Sequence, residues 1–167
     1  MDNRNRPKLK VKSTAADQVL EIFSWLVLLF LWGSAIYFYS SLPQIIPIHF
    51  NASGQANGFS NKSTLFLLPV IGTFLFAGLT VLNKYPHVFN YPTDITPENA
   101  LRQYTNATQM IRCIKLIVLI IFAEIVWTTI ATATGESHGL PAWFLPLEIG
   151  LTFVTTFYFL IKSVQSN

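Results

Sequence analysis

Four long apolar stretches constrain this chain more than any other feature of its sequence. They run over residues 19–39, 64–82, 113–133 and 140–161. A helix needs about 20 mainly apolar residues to cross the hydrocarbon core of a bilayer. Because lipid offers no hydrogen bonds to the backbone, such a stretch must satisfy its own polar groups by forming a helix. Each stretch is therefore predicted to be a transmembrane helix.

Composition supports a membrane protein and limits its chemistry. Of the 167 residues, 51% are hydrophobic and 11% are charged, whereas roughly 25% of residues are charged in a soluble domain. The length suits one four-helix membrane domain over residues 18–162, after a basic tail over residues 1–17. The single cysteine, Cys113, excludes an internal disulfide and a cysteine-rich metal site. The sequence predicts an all-α integral membrane protein with four transmembrane helices.

Basic residues predict how the helices are oriented, because cytoplasmic flanks collect Lys and Arg. Ten of the eleven basic residues lie in the N-terminal tail, in or just after the connection over residues 83–112, or at the C-terminal end, and only Lys62 lies on the opposite side. Both termini are predicted to be cytoplasmic, and residues 40–63 to lie outside. The first dozen residues read as a disordered basic tail. The start of the chain also fits a cleaved signal peptide, but the apolar run continues through Tyr39, which favours an uncleaved anchor.

The connection over residues 83–112 contains a helix signal. In DITPEN, Thr96 suits an N-cap, Pro97 the first helical position and Glu98 the first turn. Beyond it one face carries Leu101, Tyr104, Thr108 and Ile111, and the other carries Arg102, Gln103, Asn106 and Gln109. We expect an amphipathic cytoplasmic helix that either lies in the membrane interface or continues into the third span. It is either a stalk packed under the bundle or a docking surface for a partner.

The insert over residues 40–63 is rich in turn residues but too apolar for a free loop. Pro43 and Pro47 favour extended backbone before them. Asn51, Gly54 and the Asn57–Gly58 pair are turn residues, and Asn57–Gly58 in particular favours a tight hairpin turn. Asn61 or Ser60 can then cap the second span. The apolar members are Ile45, Ile46, Ile48, Phe50 and Phe59. We expect a small folded cap, such as a short hairpin, on the outer mouth of the bundle.

The pattern LP..IP.HFN..G...GF..K within this insert resembles the signature of a bacterial membrane domain of unknown function. That domain is found at the N-terminus of the Sdp (sporulation-delaying protein) immunity protein family. The resemblance implies a protein of the bacterial cytoplasmic (inner) membrane that protects the cell from a secreted peptide toxin or passes on a signal. The candidate ligand-binding or partner-binding residues on the pattern are Pro43, Pro47, His49, Phe50, Asn51, Gly54, Gly58 and Lys62.

Two acids lie deep in predicted spans, where charges are rare and face the bundle interior. Glu124 and Glu148 lie at similar distances from the turn near Ser137, so both should be at the same depth. We expect them to form an intramembrane carboxyl pair that shares a proton. Such a pair suits a proton-coupled transporter, and it equally suits an inert bundle that bonds two helices. Glu21 and Lys115 lie nearer the inner surface, where both are expected to reach water.

Metal and enzyme chemistry find little support. His49 and His138 share the predicted outer side and can ligate zinc in principle, but their separate loops impose no ligand spacing, so no metal and no cofactor is predicted. HExxH and any nucleophile with an adjacent base are missing, which argues against an enzyme. Three functions remain: an immunity or sensor protein that binds a secreted peptide or an envelope protein, a small proton-coupled transporter using Glu124 and Glu148, and an accessory subunit of an envelope complex. Besides the lipid bilayer, a second copy of the chain is a candidate partner, and nucleic acid is not.

Overall fold

A computed structural model describes residues 6–165 and is mostly helical, as the sequence predicts. Arg4 of the predicted basic tail lies outside the described residues. Four segments are long and apolar enough to cross a membrane, so the four-span prediction is confirmed and the chain is a multi-pass membrane protein. The elements are α1 (Ala15–Phe38), β1 (Ile45–Phe50), β2 (Ala56–Asn61), a 3₁₀-helix (Lys62–Phe66) leading into α2 (Leu67–Leu82), a second 3₁₀-helix (Pro86–Val88), α3 (Ala100–Ala133) and α4 (Phe144–Gln165).

Helix α3 is the central element of the bundle, because it packs against α1, α2 and α4. The apolar core lies between α1, α2 and α3 and includes Leu31, Ala35, Leu119 and Val126. Many apolar side chains instead point away from the bundle, such as Phe74, which is 74% exposed. So large an apolar surface is suited to contact with lipid and unsuited to contact with water.

The two ends of the bundle differ in structure. One end carries the β1–β2 hairpin and the α3–α4 connection, and we call it the hairpin end. The other end carries the N-terminal tail, the α2–α3 loop and the C-terminal turn of α4, and we call it the loop end. The hairpin is a folded cap, as expected from the insert, although the sheet that it forms has only two strands.

Helix α3 begins later than predicted and continues without a break into the third span. Its first residue is Ala100, three residues after Pro97, and it ends at Ala133. Thr96 and Asn99 still bond to each other before the helix: the Thr96 amide donates to Asn99 Oδ1 (2.9 Å). The predicted amphipathic helix is therefore the first part of one 34-residue helix.

The predicted polar face of this helix is partly buried. Gln103 Nε2 donates to the carbonyl oxygen of Ser163 (2.8 Å), and the Ser163 hydroxyl donates to Gln103 Oε1 (2.5 Å). Asn106 Nδ2 donates to the carbonyl oxygen of Phe159 (2.8 Å). The expectation that Gln103 and Asn106 face away from the packed side was wrong, because α4 covers them and supplies hydrogen-bond partners. Such bonds between spanning helices stabilise their packing.

The described part of the N-terminal tail is bound to the α2–α3 loop, although the sequence indicated disorder. Arg6 Nη1 donates to the carbonyl oxygen of Phe89 (2.6 Å), and its guanidinium lies 5.4 Å from the centre of the Tyr91 ring. The Tyr104 hydroxyl donates to the carbonyl oxygen of Pro7 (3.1 Å). Burial raises the pKa of Tyr91, whose hydroxyl donates to the carbonyl oxygen of Pro86. The basic composition of the tail indicated disorder, and composition carries no information about these aromatic and carbonyl partners.

A network of four charged residues joins α1 to α3 at the loop end. Lys115 Nζ lies 2.6 Å from Glu21 Oε2, and Arg112 Nη1 lies 3.3 Å from Asp17 Oδ1. Lys115 also donates to the Thr80 hydroxyl of α2 (2.9 Å). The Lys115 side chain is 1% exposed, so the expectation that it reaches water was wrong. A buried ammonium needs a carboxylate and further hydrogen bonds, and α1 and α2 supply both.

Candidate functional site

The hairpin at the candidate site turns at Asn51 and Gly54 and not at Asn57–Gly58, which was the more strongly favoured of the predicted turn residues. Its turn is Asn51–Gln55, where Asn51 Oδ1 accepts from the amides of Ser53 (3.0 Å) and Gln55 (2.9 Å). Gly58 lies within β2, opposite His49. A Cβ on Gly58 would lie 2.9 Å from His49 Cβ. The glycine of the Asn57–Gly58 pair therefore permits close strand pairing and does not form a turn.

The hairpin is attached to the bundle at its tip and at its base. At the tip, the amide of Leu140 donates to the carbonyl oxygen of Gly54 (2.9 Å). A Cβ on Gly54 would lie 1.9 Å from the Leu140 oxygen, and Gly54 has a φ of +80°, so only glycine fits. At the base, Lys62 Nζ donates to the carbonyl oxygens of Tyr39 (3.1 Å) and Leu42 (3.2 Å). The cap is thus held in a defined position over the helices.

Between β1, α3 and α4 lies a cavity of about 400 Å³, which we call the hairpin cavity. Its lining is almost entirely apolar, and β1 covers one side of it. This volume is in the range of small-ligand pockets, which combine apolar walls with a few polar groups. The lining residues that matter below are His49, Phe50, Ile121, Ile125, Phe144 and Glu148.

Glu148 of α4 supplies a carboxyl group to the lining of this cavity. It is 9% exposed. Its Oε2 atom is buried and has no hydrogen-bond partner among residues 6–165. A buried carboxyl oxygen without a partner costs free energy. Ionisable groups in spanning helices mark ligand or ion sites by default, which makes Glu148 the leading candidate in this part of the bundle.

Glu124 lies in a different cavity. It is half-buried and, with Phe30 and Trp127, lines a groove of about 420 Å³ between α1 and α3. Across the described part of the chain, no hydrogen bond joins it to Glu148. Glu124 is nevertheless close enough to Glu148 for the two carboxyl groups to repel each other when both are ionised. The carboxyl pair and its shared proton therefore stay predictions.

The structure gives the predicted binding residues different surroundings. His49 and Phe50 line the hairpin cavity, and the Nδ1 atom of His49 lies 2.5 Å from Asn57 Oδ1. Pro47 is buried and lines a second, smaller cavity between the hairpin and α2. Pro43 is exposed. The remaining four residues, Asn51, Gly54, Gly58 and Lys62, have the structural contacts described above.

No metal site is apparent in the described residues. His138 is exposed in the α3–α4 connection. Over residues 6–165, no group of three or more His, Cys, Asp and Glu side chains could hold a metal ion.

Sequence reasoning missed the apolar walls of the hairpin cavity. Ile121 and Ile125 are one helical turn apart on α3, and Phe144 begins α4. Their apolar character is shared by every lipid-facing position, so composition does not distinguish them. The only usable signal is that Ile121 and Ile125 recur at a spacing of four, which places them on one face of α3.

Comparisons with known proteins add one family match. Residues 26–73 match a domain of unknown function, DUF1648. The matched segment covers much of α1, the hairpin and the beginning of α2, so it contains His49 and Phe50 but not Glu148. The β1 side of the hairpin cavity therefore belongs to the matched segment, whereas its α3 and α4 sides do not.

An uncharacterized protein of Archaeoglobus fulgidus is also similar to this chain. The alignment covers 70 residues at 31% identity, which is 37% of this chain and 38% of the relative. The chain thus spans well under two thirds of the length of that relative. No solved structure matches the chain significantly.

Proposed function

We propose that this chain is a non-enzymatic protein of the bacterial cytoplasmic membrane, of the immunity or sensor type. It binds an apolar segment of a secreted peptide or an envelope protein in the hairpin cavity. The observation that carries this proposal is the buried, unpartnered carboxyl oxygen of Glu148 in an apolar cavity. The resemblance of the hairpin sequence to the Sdp immunity family supports the same class of function.

The chemistry of the cavity limits the ligand. Its walls suit an aliphatic or aromatic side chain, and the carboxyl group of Glu148 needs a hydrogen-bond donor. Both requirements are met by a peptide segment that presents an apolar side chain next to an N–H, O–H or ammonium group. The exposed side chains of Ile45 and Phe59 on the hairpin extend the apolar surface beyond the cavity.

The orientation that we propose puts the hairpin end outside the cytoplasm. At the hairpin end of the described structure, Lys62 is the only Lys or Arg, and its ammonium binds helix-terminal carbonyls. The other basic residues among residues 6–165 belong to the loop end, which suits the cytoplasmic side. A ligand secreted from the cell would then meet the hairpin first.

The proposal is tested by photo-crosslinking in living cells. A photoreactive phenylalanine analogue in place of Phe50, which lines the hairpin cavity, should crosslink to a peptide or envelope protein that mass spectrometry then identifies. The same analogue in place of Phe74, on the exposed face of α2, is the matched control and should crosslink to lipid alone.

The carboxyl group supplies the second arm of this experiment. Adding Glu148→Gln should lower the crosslinking yield at position 50 at least tenfold if the ligand is a cation, because such hydrogen-bonded ion pairs contribute more than about 1.4 kcal/mol. Glu124 lies outside the hairpin cavity, so Glu124→Gln should leave the crosslinking yield at position 50 unchanged. Equal yields at positions 50 and 74 would contradict the proposal.

A proton-coupled transporter is the second candidate, and one observation favours it. Each of the two acids within the spans lines a cavity, and the two carboxyl groups lie within electrostatic range of each other. Protein in liposomes with an internal pH-sensitive dye should then show proton flux, and Glu124→Gln and Glu148→Gln should each abolish it. Flux that persists in both variants would exclude these acids from transport.

A further inference from the structure

Another cavity, at the loop end of the bundle, is lined by charged side chains. It measures about 750 Å³ and lies between the N-terminal tail, α1 and the α2–α3 loop. Three cationic side chains and one acid line it, together with an indole and an amide. These residues are Lys10, Glu21, Trp25, Asn83, Lys84 and Arg112. We call it the basic cavity.

The positive charge of the basic cavity is not balanced by its one acid. Glu21 is already bound by Lys115, at 2.6 Å, and by Arg112, at 3.3 Å. Lys10 and Lys84 form no ion pair with any acid among residues 6–165. Two ammonium groups facing one cavity repel each other, and an anion between them would relieve this repulsion.

Arg112 adds a donor surface to this cavity. Its side chain is 11% exposed, and its Nη1 atom lies 3.3 Å from Asp17 Oδ1. The Nε atom is buried and forms no hydrogen bond, although it lies 3.3 Å from Glu21 Oε1. Because these two atoms face carboxylates, Arg112 offers an oxyanion only its remaining N–H groups, and the unpaired positive charge comes from Lys10 and Lys84.

The cavity is polar on one side and apolar on the other. Trp25 is 53% exposed and packs edge-on against Phe76, with ring centroids 4.5 Å apart. Lys10 and Lys84 lie beyond the ends of α1 and α2, where lipid headgroups meet the protein, and Trp is typical of that depth. Lys10 is positioned because the tail is held at Arg6. We propose that the basic cavity binds a phosphate group, carried either by an anionic phospholipid or by a soluble phosphate.

Thermal unfolding of the purified full-length chain in neutral detergent tests this proposal. The additions are phosphatidylglycerol, phosphatidylcholine and inorganic phosphate, each measured at low and at high salt. Phosphatidylglycerol should raise Tm by about 3 °C or more relative to phosphatidylcholine. High salt should reduce this difference, because it screens the lysine charges.

Two double variants that each lose two positive charges distinguish binding in the basic cavity from a general effect of net charge. Lys10→Gln with Lys84→Gln should remove the difference between the two lipids, and neither lysine has an ion pair whose loss would unfold the protein. Lys12→Gln with Lys162→Gln removes two charges outside the cavity and should retain the difference.

The outcomes separate the two sources of phosphate. Stabilisation by phosphatidylglycerol alone assigns the site to a lipid headgroup, and stabilisation by inorganic phosphate assigns it to a soluble phosphate. No stabilisation by either, or an equal effect in the Lys10→Gln, Lys84→Gln variant, overturns the proposal. None of these outcomes depends on the ligand of the hairpin cavity.

Discussion

Lys115 and Glu148 are both ionisable side chains buried in spanning helices, yet their surroundings are opposite. Lys115 contacts Glu21 and Thr80, and its ammonium lies 4.5 Å from the centre of the Phe76 ring. Glu148 has a carboxyl oxygen without any partner in the described residues. A buried charge with a full set of partners is explained by structure alone, whereas one without them calls for a ligand. This contrast explains Lys115 by stability and supports the binding role proposed for Glu148.

Replacing Lys115 with methionine tests the structural half of this contrast. Lys115→Met leaves Glu21 without its closest cation, so the free energy of unfolding should fall by about 3 kcal/mol. This is the lower end of the range for a broken buried ion pair, because the Glu21 side chain is 29% exposed. Denaturant titration in mixed micelles measures the change. Lys162→Met, at an exposed position, should change stability by less than about 0.5 kcal/mol. Adding Glu21→Gln to Lys115→Met should recover part of the loss, and additive losses would argue against coupling.

The β1–β2 hairpin is a small element that depends on contacts at both ends. A two-stranded hairpin is marginally stable alone. Here the Lys62 ammonium donates to the carbonyl oxygens of Tyr39 and Leu42, just after α1. At the other end, the carbonyl oxygen of Gly54 accepts from the Leu140 amide in the α3–α4 connection. The hairpin cavity exists only while the tip stays attached, because β1 forms one of its sides.

Replacing Gly54 with alanine should detach the tip of the hairpin. The added Cβ would lie 1.9 Å from the Leu140 oxygen, and the φ of +80° is unfavourable for alanine. We expect Gly54→Ala to cost about 1–3 kcal/mol and to speed hydrogen exchange at the Leu140 amide, which donates to Gly54. Gly78→Ala is the matched control, since its Cβ would meet nothing within 4 Å. Unchanged exchange at Leu140 in the Gly54 variant would show that this contact does not hold the hairpin.

The bundle as a unit has two dissimilar ends joined by helices with apolar outer surfaces. The hairpin end holds a single lysine, which is bound to carbonyls. The loop end holds the ion-pair network, the basic cavity and the buried amides that bind α4. Such asymmetry supports the orientation proposed above, with the loop end in the cytoplasm.

Cysteine labelling checks this direction. Ser53→Cys lies at the exposed tip of the hairpin and Asp94→Cys lies in the exposed α2–α3 loop. A membrane-impermeant maleimide applied to intact cells, with the outer membrane permeabilised if there is one, should label position 53 and not position 94. After cell lysis both positions should react, and the unmodified chain measures the background from Cys113. Labelling of position 94 alone in intact cells would reverse the topology and, with it, the side from which a ligand reaches the hairpin cavity.

The sequence predicted the helices well and the side-chain partners poorly. The four spans and the folded cap follow from local patterns, because apolar length and turn chemistry are properties of adjacent residues. Turn chemistry favoured Asn57–Gly58 over Asn51 and Gly54, and only pairing with His49 shows that Gly58 belongs to β2. The partners of Gln103 and Lys115 were missed because they lie on other helices, far along the chain.

The sequence by itself determined that the chain crosses a membrane with four helices, because the cost of burying backbone and charge in lipid depends on composition alone. The tertiary structure decided which polar groups meet. The rotation of α3 turns Glu124 towards α1, while Glu148 of α4 faces the cavity beneath the hairpin. The tertiary structure also places the described part of the N-terminal tail along the basic cavity. Rotation and docking depend on side-chain packing between distant segments, and periodicity along one helix does not specify that packing.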